Sequence, residues 1–189
     1  MKYSVIVLMI LGLTSTVLAE DFDYNFVTGS FGQVDVDDFN ADGNVYGLGL
    51  SIGIAENIHM FADYQGSDLD FGLDVSEWSV GIGFNTPISD VMDVVAQLSY
   101  ENVDFDVPGF GGFDDDGYGL SVGLRAAMSE AVEIQAGLSY VDFSDSGDNT
   151  TFDAGFLFNV SETIALGVSG SWDDDVSIYR LTGRVYFGN

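Results

Sequence analysis

The strongest constraint in the sequence is an alternation of apolar with small or polar residues that has a period of two. Over residues 46–54, every even position is a large apolar residue and every odd position is glycine or serine. A period of two places alternate side chains on opposite faces of an extended strand, whereas a helix requires a period of 3.6. The chain is therefore expected to form strands with one apolar face, and a helical repeat is excluded.

The alternation recurs as a hairpin, in which a strand enters a short polar turn and a second alternating strand follows. Four such hairpins occur, with turns at residues 55–57, 86–90, 128–130 and 161–163. Their strands are predicted at 46–54, 58–64, 78–84, 92–100, 118–124, 132–140, 152–160 and 164–172. One more strand precedes the set (22–36) and another follows it (176–187). The sequence therefore predicts ten antiparallel strands, with eight as the alternative.

The face opposite the apolar residues carries mostly Gly, Ser, Ala, Asn and Gln. A soluble sandwich would need long charged side chains there, whereas a narrow polar interior suits small ones. With the apolar face turned outward toward lipid, the pattern is that of a transmembrane β-barrel. The barrel must close, because hydrocarbon tolerates no unpaired strand edge. We therefore predict an all-β, closed, antiparallel up-and-down barrel over residues 20–189.

Aromatic residues on the apolar face gather at one end of the predicted strands. Nine of the ten strands place one beside a long loop, which is typical of an interfacial girdle. From this girdle to the turns, about eight residues at roughly 3.3 Å and a tilt near 40° span on the order of 20 Å, close to the thickness of a bilayer core. The predicted girdle is Tyr46, Tyr64, Trp78, Tyr100, Tyr118, Tyr140, Phe152, Trp172 and Tyr179.

The acidic residues gather at the same end of the predicted strands as the aromatic girdle. The chain has 31 acidic and four basic residues, a formal net charge of −27, and 20 of the acids lie in or beside five loops. These loops are predicted at 35–42, 68–77, 101–116, 142–148 and 173–175. Short turns face the periplasm in such barrels and longer loops face outside. Because nucleic-acid binding depends on Lys and Arg, no nucleic-acid partner is expected.

Residues 1–19 have the pattern of a cleaved secretory signal peptide. Lys2 supplies the positive charge, residues 5–13 form a short apolar core, and Ala19 fits the small-residue cleavage site. The apolar run is too short for a transmembrane helix. The chain contains no cysteine, so a disulfide framework is excluded. We expect export to the bacterial outer membrane.

The chain closes with residues 179–187, which end on the near-terminal Phe187. With this segment and the features above, the chain resembles the small outer-membrane β-barrel proteins of Gram-negative bacteria, the opacity-like and small-porin-like barrels. The closing segment is similar to the signal read by the barrel-assembly machinery, although Gly188 and Asn189 follow the aromatic residue. The resemblance implies contact with outer-membrane lipid and lipopolysaccharide. We expect a monomer.

One loop resembles half of a calcium-binding loop. Asp38, Asn40 and Asp42, followed by Gly43, match the first half of an EF-hand loop, which supplies oxygen ligands at alternate positions. Gly49 stands where the bidentate Glu is required, so a polar hairpin loop closed by Asp-Gly is the alternative. No cofactor is predicted beyond Ca²⁺ or Mg²⁺ at the acidic loops.

The three arginines of the mature chain fall on the inward register. Arg125 lies across a tight hairpin from Glu133, and Arg180 and Arg184 lie on the last strand, which closes onto the first near Asp23. An interior arginine must pair or face water. We interpret these five residues as structural contacts of the lumen, with pore selectivity as the alternative.

No catalytic motif is present. His59 is the only histidine, and it is predicted to fill the interior beside Asp63 and Ser51. We therefore predict no enzymatic activity. The expected function is a structural or surface-interaction role in the cell envelope through acidic loops. The alternative is a narrow, cation-preferring pore, and an outer-membrane enzyme is the disfavoured third.

Overall fold

The computed structural model describes residues 22–37, 41–109 and 111–188, which form ten strands. The strands are β1 (Phe26–Val36), β2 (Ala41–Ala55), β3 (Ile58–Leu69), β4 (Asp74–Ser89), β5 (Met92–Val107), β6 (Gly111–Ser129), β7 (Val132–Phe143), β8 (Gly147–Asn159), β9 (Ile164–Trp172) and β10 (Val176–Tyr186). A short 3₁₀ segment, Asp70–Gly72, connects β3 to β4. In this described part, no helix has the length and apolar character needed to cross a bilayer.

The ten strands form a closed antiparallel barrel. Each strand pairs with its sequence neighbours, and β1 pairs with β10 from Phe26↔Tyr186 to Val36↔Val176. The predicted fold class is confirmed, with ten strands rather than eight. Closure gives every strand two neighbours, so no edge is left for hydrocarbon to cover.

The large apolar side chains face outward. Leu48, Leu98 and Leu181 are 65, 60 and 67% exposed, which is the reverse of a soluble protein. Small residues face inward and leave room for longer neighbours. A Cβ atom on Gly49, for example, would lie 2.5 Å from Oδ1 of Asp63 and 2.5 Å from Oγ1 of Thr28. The narrow lumen therefore holds charged side chains because glycine stands opposite them.

Several strands extend further than the sequence analysis predicted. The loop predicted at 101–116 was wrong, because β5 continues to Val107, β6 begins at Gly111, and the two pair up to that end. Aspartate has a low intrinsic strand propensity, which favoured a loop. The alternation nevertheless continues through the aspartates, and the neighbouring strand supplies backbone partners. Much of the acidic charge therefore lies on strands.

The two rims of the barrel differ. The turn end carries the tight connections after β2, β4, β6 and β8, and the first three of these show a register shift beside the turn. The loop end carries the strand extensions. Residues 22–25 precede β1 and therefore lie at the turn end.

Candidate functional site in the barrel lumen

A layer of buried inward-facing residues crosses the lumen near the turn end. Each strand from β2 to β10 contributes one, and none is more than 7% exposed. In strand order they are Ser51, His59, Asn85, Asp93, Arg125, Glu133, Leu157, Ala165 and Arg184. Tyr24, which precedes β1, is also buried. We call these ten residues the luminal floor. Side chains alone suffice to fill a barrel of about this size.

Glu133 is the central acceptor of the floor. Nε and Nη2 of Arg125 donate to its two carboxylate oxygens at 2.8 and 3.0 Å, a bidentate pair. Nη1 of Arg184 lies 3.7 Å from Oε1 of the same carboxylate. Gln135 also donates to that oxygen. Both ion pairs found in the described residues therefore converge on one side chain.

The sequence analysis expected the Asp23 carboxylate near Arg184, but the structure does not bring the two groups together. The carboxylate accepts hydrogen bonds from the backbone and side-chain amides of Asn25, while the Asp23 carbonyl accepts from Nη1 of Arg125 at 3.1 Å. Arg184 instead stacks on Phe26, with its Cζ 4.1 Å from the ring centroid. The expectation failed because residues 22–25 turn into the lumen rather than continuing β1 along the wall.

Tyr24 fills the middle of the floor. Its hydroxyl donates to Asp93 at 2.9 Å, its ring stacks on His59 with centroids 4.8 Å apart, and Cζ of Arg125 lies 4.6 Å from the ring centroid. The hydroxyl of Ser51 donates to the Tyr24 carbonyl at 2.7 Å. Sequence analysis missed this residue, because it predicted the first strand from residue 22, whereas β1 begins at Phe26 and Tyr24 lies outside it.

His59 lies in the floor between amide groups. Nδ1 is 3.4 Å from Oδ1 of Asn85, and Nε2 is 3.2 Å from Nε2 of Gln97. Its ring stacks on Tyr24. The placement matches an interior polar residue, and the hydrogen bonds of this imidazole in the described part are to amides rather than to a nucleophile or a carboxylate.

Above the floor lies a cavity of about 450 Å³, and it continues into a second space of about 360 Å³ toward the loop end. The second space, which we call the upper chamber, is lined by four carboxylates and one cation. These are Asp63, Glu77, Glu101, Asp153 and Arg180. Both spaces share Asp63, Asp153 and Arg180 in their walls, so they are contiguous.

Arg180 links two of these carboxylates through neutral side chains. It donates to Oγ of Ser171 at 2.8 Å, and Ser171 donates to Asp153 at 2.6 Å. It also donates to Gln65, whose amide donates to Glu77 at 3.1 Å. The chain of contacts crosses β8, β9, β10, β3 and β4. One guanidinium thus organises half of the upper chamber, and the carboxylates outnumber it four to one.

The predicted girdle residues lie on the outer face toward the loop end, and several neighbouring rings are in contact. Ring contacts join Tyr46 with Tyr64, Trp78 with Tyr100, and Tyr100 with Tyr118. On the other side, Trp172 stacks on Phe152 and donates through Nε1 to the Tyr179 hydroxyl at 3.2 Å. Tyr140 is also exposed on the outer face.

The sequence analysis missed the aromatic residue of the tenth strand. Phe31 on β1 is 59% exposed and pairs directly with Tyr46 of β2. Every strand therefore contributes to the girdle. The residue was missed because it stands in the middle of a long predicted strand, away from a loop boundary, although its spacing to the acidic residue Asp35 matches that of the other strands.

A ring of aspartates lies on the outer face above the girdle. On β1 to β6 and on β8, an outward-facing aspartate stands four residues to the loop side of the girdle aromatic. With Asp106 and Asp142, these residues form what we call the acidic belt. Its members are Asp35, Asp42, Asp68, Asp74, Asp104, Asp106, Asp114, Asp142 and Asp148. Four residues correspond to roughly 13 Å along a strand, or about 10 Å along the barrel axis.

Belt aspartates face one another directly across strand pairs. The opposed pairs are Asp35↔Asp42, Asp68↔Asp74, Asp74↔Asp106, Asp104↔Asp114 and Asp142↔Asp148. The three arginines all lie in the lumen, so no described basic side chain neutralises the belt. Like charges in directly opposed positions destabilise a strand pair.

Asp115 is not a solvated rim charge. It faces inward, is 4% exposed, and accepts hydrogen bonds from the backbone amides of Asp116, Asp145 and Ser146. Hydrogen bonding to Ser146, supported by the amides of Asp145 and Asp116, outweighs the effect of burial and holds the pKa of this carboxyl below its usual range. Asp115 thus fixes the connection between β7 and β8.

The predicted calcium loop is only partly described. Asp38 and Asn40 lie outside the described residues, and Asp42 lies in β2 opposite Asp35. Within residues 22–37, 41–109 and 111–188, no group of three or more acidic or histidine side chains has the arrangement of a metal site. Specific calcium binding at Asp38, Asn40 and Asp42 therefore stays a prediction.

A closed ten-stranded barrel with an apolar outer wall, a girdle and a polar lumen has the architecture of an outer-membrane β-barrel. The sequence matches the outer membrane protein beta-barrel domain family over residues 5–159, and the chain belongs to that family. This membership places it in the outer membrane. Among curated proteins, no sequence matches this chain.

Solved structures show the same fold at low sequence identity. The beta domain of the Bordetella autotransporter BrkA is 14% identical, with 86% of this chain and 99% of that chain covered and a TM-score of 0.50. The translocator domain of the autotransporter NalP from Neisseria meningitidis is 9% identical, with coverage of 90% and 91% and a TM-score of 0.50. KdgM porin is 11% identical, with coverage of 85% and 99% and a TM-score of 0.49. The likeness to the two autotransporter domains extends to the fold alone.

Proposed function

We propose that this barrel has a structural role in the outer membrane, in which the acidic belt binds lipopolysaccharide through divalent cations. The observation that carries the proposal is the repeated spacing of a belt aspartate four residues above a girdle aromatic on seven strands. The girdle marks the boundary of the hydrocarbon. A position about 10 Å above it is the level of lipid headgroups and their phosphates.

The cross-strand pairs support a need for cations. Opposed residues such as Asp104 and Asp114 have Cβ atoms roughly 4.5–5.5 Å apart in an antiparallel pair, and two carboxylates at that distance repel. A divalent cation removes the repulsion and accepts oxygen ligands from carboxylates and phosphates alike. The belt would therefore gain free energy from a cation shared with a lipid phosphate.

The test compares the protein in bilayers with and without lipopolysaccharide. We expect Mg²⁺ to raise the temperature at which the heat-modifiable gel shift is lost, more strongly with lipopolysaccharide than with phospholipid alone. In Asp104→Asn/Asp114→Asn this Mg²⁺ effect should shrink. In EDTA the same variant should be more stable than wild type by a few tenths to about 1 kcal/mol, because the repulsion is gone.

The matched control is Glu130→Gln, an exposed acidic residue at the turn end. It changes charge without touching the belt, so the Mg²⁺ effect should remain that of wild type. An Mg²⁺ effect of equal size in both kinds of bilayer, or one that the belt variant leaves unchanged, would contradict the proposal.

A narrow cation-preferring pore is the second candidate. The observation in its favour is the upper chamber, where four carboxylates surround one arginine. Clefts lined by one sign of charge concentrate the opposite ion. The luminal floor opposes free passage, because its buried side chains come from nine strands and from Tyr24 and occupy the lumen at the turn end. A conducting state would therefore require the floor to open.

A further inference from the structure

We propose that residues 22–25 form a movable plug, which we call the strap, and that withdrawal of its Tyr24 side chain opens a cation-preferring path through the lumen. The proposal rests on the second candidate function and names the part of the floor that would open. The other floor residues belong to the strands of the barrel wall, whereas Tyr24 does not.

The strap crosses the lumen rather than lining it. Tyr24 contacts His59 on β3, Asp93 on β5 and Arg125 on β6. Since β4 and β5 separate β3 from β6, one ring that touches both ends of this arc must project into the interior. The Asp23 carbonyl also reaches the guanidinium of Arg125. Tyr24 therefore links floor residues of β2, β3, β5 and β6 to one another.

The strap lies outside the strand ladder and is held mainly by side-chain contacts. The ladder of β1 begins at Phe26, which pairs with Tyr186 and Ser51. The Tyr24 carbonyl accepts from the Ser51 side chain instead, and Oδ1 of Asn25 accepts from the Gly53 amide at 3.0 Å. One backbone bond, from Phe187 N to the Asn25 carbonyl at 3.0 Å, lies at its edge. Withdrawal would leave the closed barrel intact.

The closed position also leaves a polar atom unsatisfied. Oδ2 of Asp23 is buried and has no hydrogen-bond partner in the described structure. A buried acceptor without a partner is destabilising, whereas water would satisfy it if the strap moved out. Several favourable contacts therefore hold the strap in the lumen, and the burial of one unpaired carboxylate oxygen opposes them. A reversible plug requires such a balance.

Withdrawal of Tyr24 would join the turn end to the cavities above it. Tyr24 lines the cavity of about 450 Å³, which continues into the upper chamber. An ion that passes the vacated position would first enter the cavity lined by Arg125 and Arg184, and would then reach the upper chamber, where Asp63, Glu101 and Asp153 lie with Arg180. The excess of carboxylates in the upper chamber favours cations over anions there.

Single-channel recording in planar bilayers tests the proposal. We expect wild type to be closed most of the time and Tyr24→Ala to conduct at least tenfold more of the time, with a reversal potential in a salt gradient that indicates cation preference. Phe31→Ala is the matched control, since it removes an aromatic ring from the outer face. It should record like wild type.

Two further variants make the result decisive. Asp93→Ala removes the acceptor of the Tyr24 hydroxyl and should raise the open fraction while the ring is still present, so it serves if Tyr24→Ala does not fold. Adding Asp63→Asn and Glu101→Gln to Tyr24→Ala should reduce the cation preference without closing the channel. Folded Tyr24→Ala and Asp93→Ala that both stay closed would overturn the strap proposal. A wild type that conducts steadily would also overturn it but would leave the pore function standing.

Discussion

At the scale of single residues, Glu133 determines the charge balance of the luminal floor. It pairs with Arg125 through both oxygens and lies 3.7 Å from Arg184. All three side chains are buried. Removal of one partner from a buried pair is strongly destabilising, because the charge that remains has lost its compensation. The carboxylate shared by two arginines is therefore the most costly of the three to remove.

We expect Glu133→Gln to lower the free energy of unfolding by about 3–5 kcal/mol, since it leaves two buried guanidinium groups without a carboxylate. Arg184→Met should cost less, because the bidentate pair with Arg125 survives. In the double variant the two losses should not add, with an interaction of about 0.5–3 kcal/mol. Urea unfolding, followed by the heat-modifiable gel shift, measures each value.

Asp23→Asn is the control for this cycle. The structure gives Oδ1 of its carboxylate only Asn25 as a partner within the described residues and leaves Oδ2 without one, so the substitution should not lower the free energy of unfolding. If Asp23→Asn were as costly as Glu133→Gln, or if Arg184→Met exceeded Glu133→Gln, the arrangement around Glu133 would be wrong.

At the scale of elements, the β7–β8 connection is fixed by a side chain from β6. Asp115 accepts from the amides of Asp145 and Ser146, and Gly147 follows with a φ of 89°, in the left-handed region that favours glycine. The β7–β8 connection is thus fixed by a residue of β6, which is not part of the β7–β8 hairpin. Asp115 is for this reason a poor site for surface labelling, despite its position in an acidic run.

The depressed pKa of Asp115 makes this connection sensitive to acid. A carboxyl whose pKa is lower in the folded state stabilises that state above its unfolded pKa, about 3.9, and the contribution is lost as the pH falls through the folded value. We expect protection of the Asp145 and Ser146 amides from hydrogen exchange to fall as the pH drops below about 4. In Asp115→Asn this protection should be weak already at neutral pH.

Asp114→Asn is the neighbouring control, because Asp114 faces outward in the belt and is exposed. It should leave protection of the two amides unchanged at neutral pH. Equal protection in Asp115→Asn and wild type would show that the carboxylate does not hold the connection.

At the scale of the whole molecule, the asymmetry between the two rims predicts the orientation in the membrane. Acidic strand extensions occupy the loop end, and tight turns occupy the other. Cysteines at the exposed positions Asp145 and Asp174 should react with an impermeant reagent on whole cells. One at Glu130, exposed at the turn end, should react only after permeabilisation. Labelling of Glu130 alone on intact cells would invert the orientation.

The sequence by itself determined which face of β2 to β10 meets lipid, ten strands as the main prediction, and nine of the girdle residues. These features follow from a local period of two, which fixes side-chain direction whatever the neighbouring strand contains. The belt was also present in the sequence, as a four-residue spacing from aromatic to aspartate, but low strand propensity led us to assign its aspartates to loops.

The tertiary structure alone decided which residues meet inside the barrel. Arg184 approaches Glu133, on a strand three positions away around the wall, instead of Asp23, which is close to it in the predicted seam. Tyr24 enters the lumen, although the sequence pattern placed it in the first strand, which begins at Phe26 in the structure. Such contacts depend on strand tilt, on stagger and on the path of the segment before β1, because these set which inward side chains share a level. A local alternation carries no information about that level.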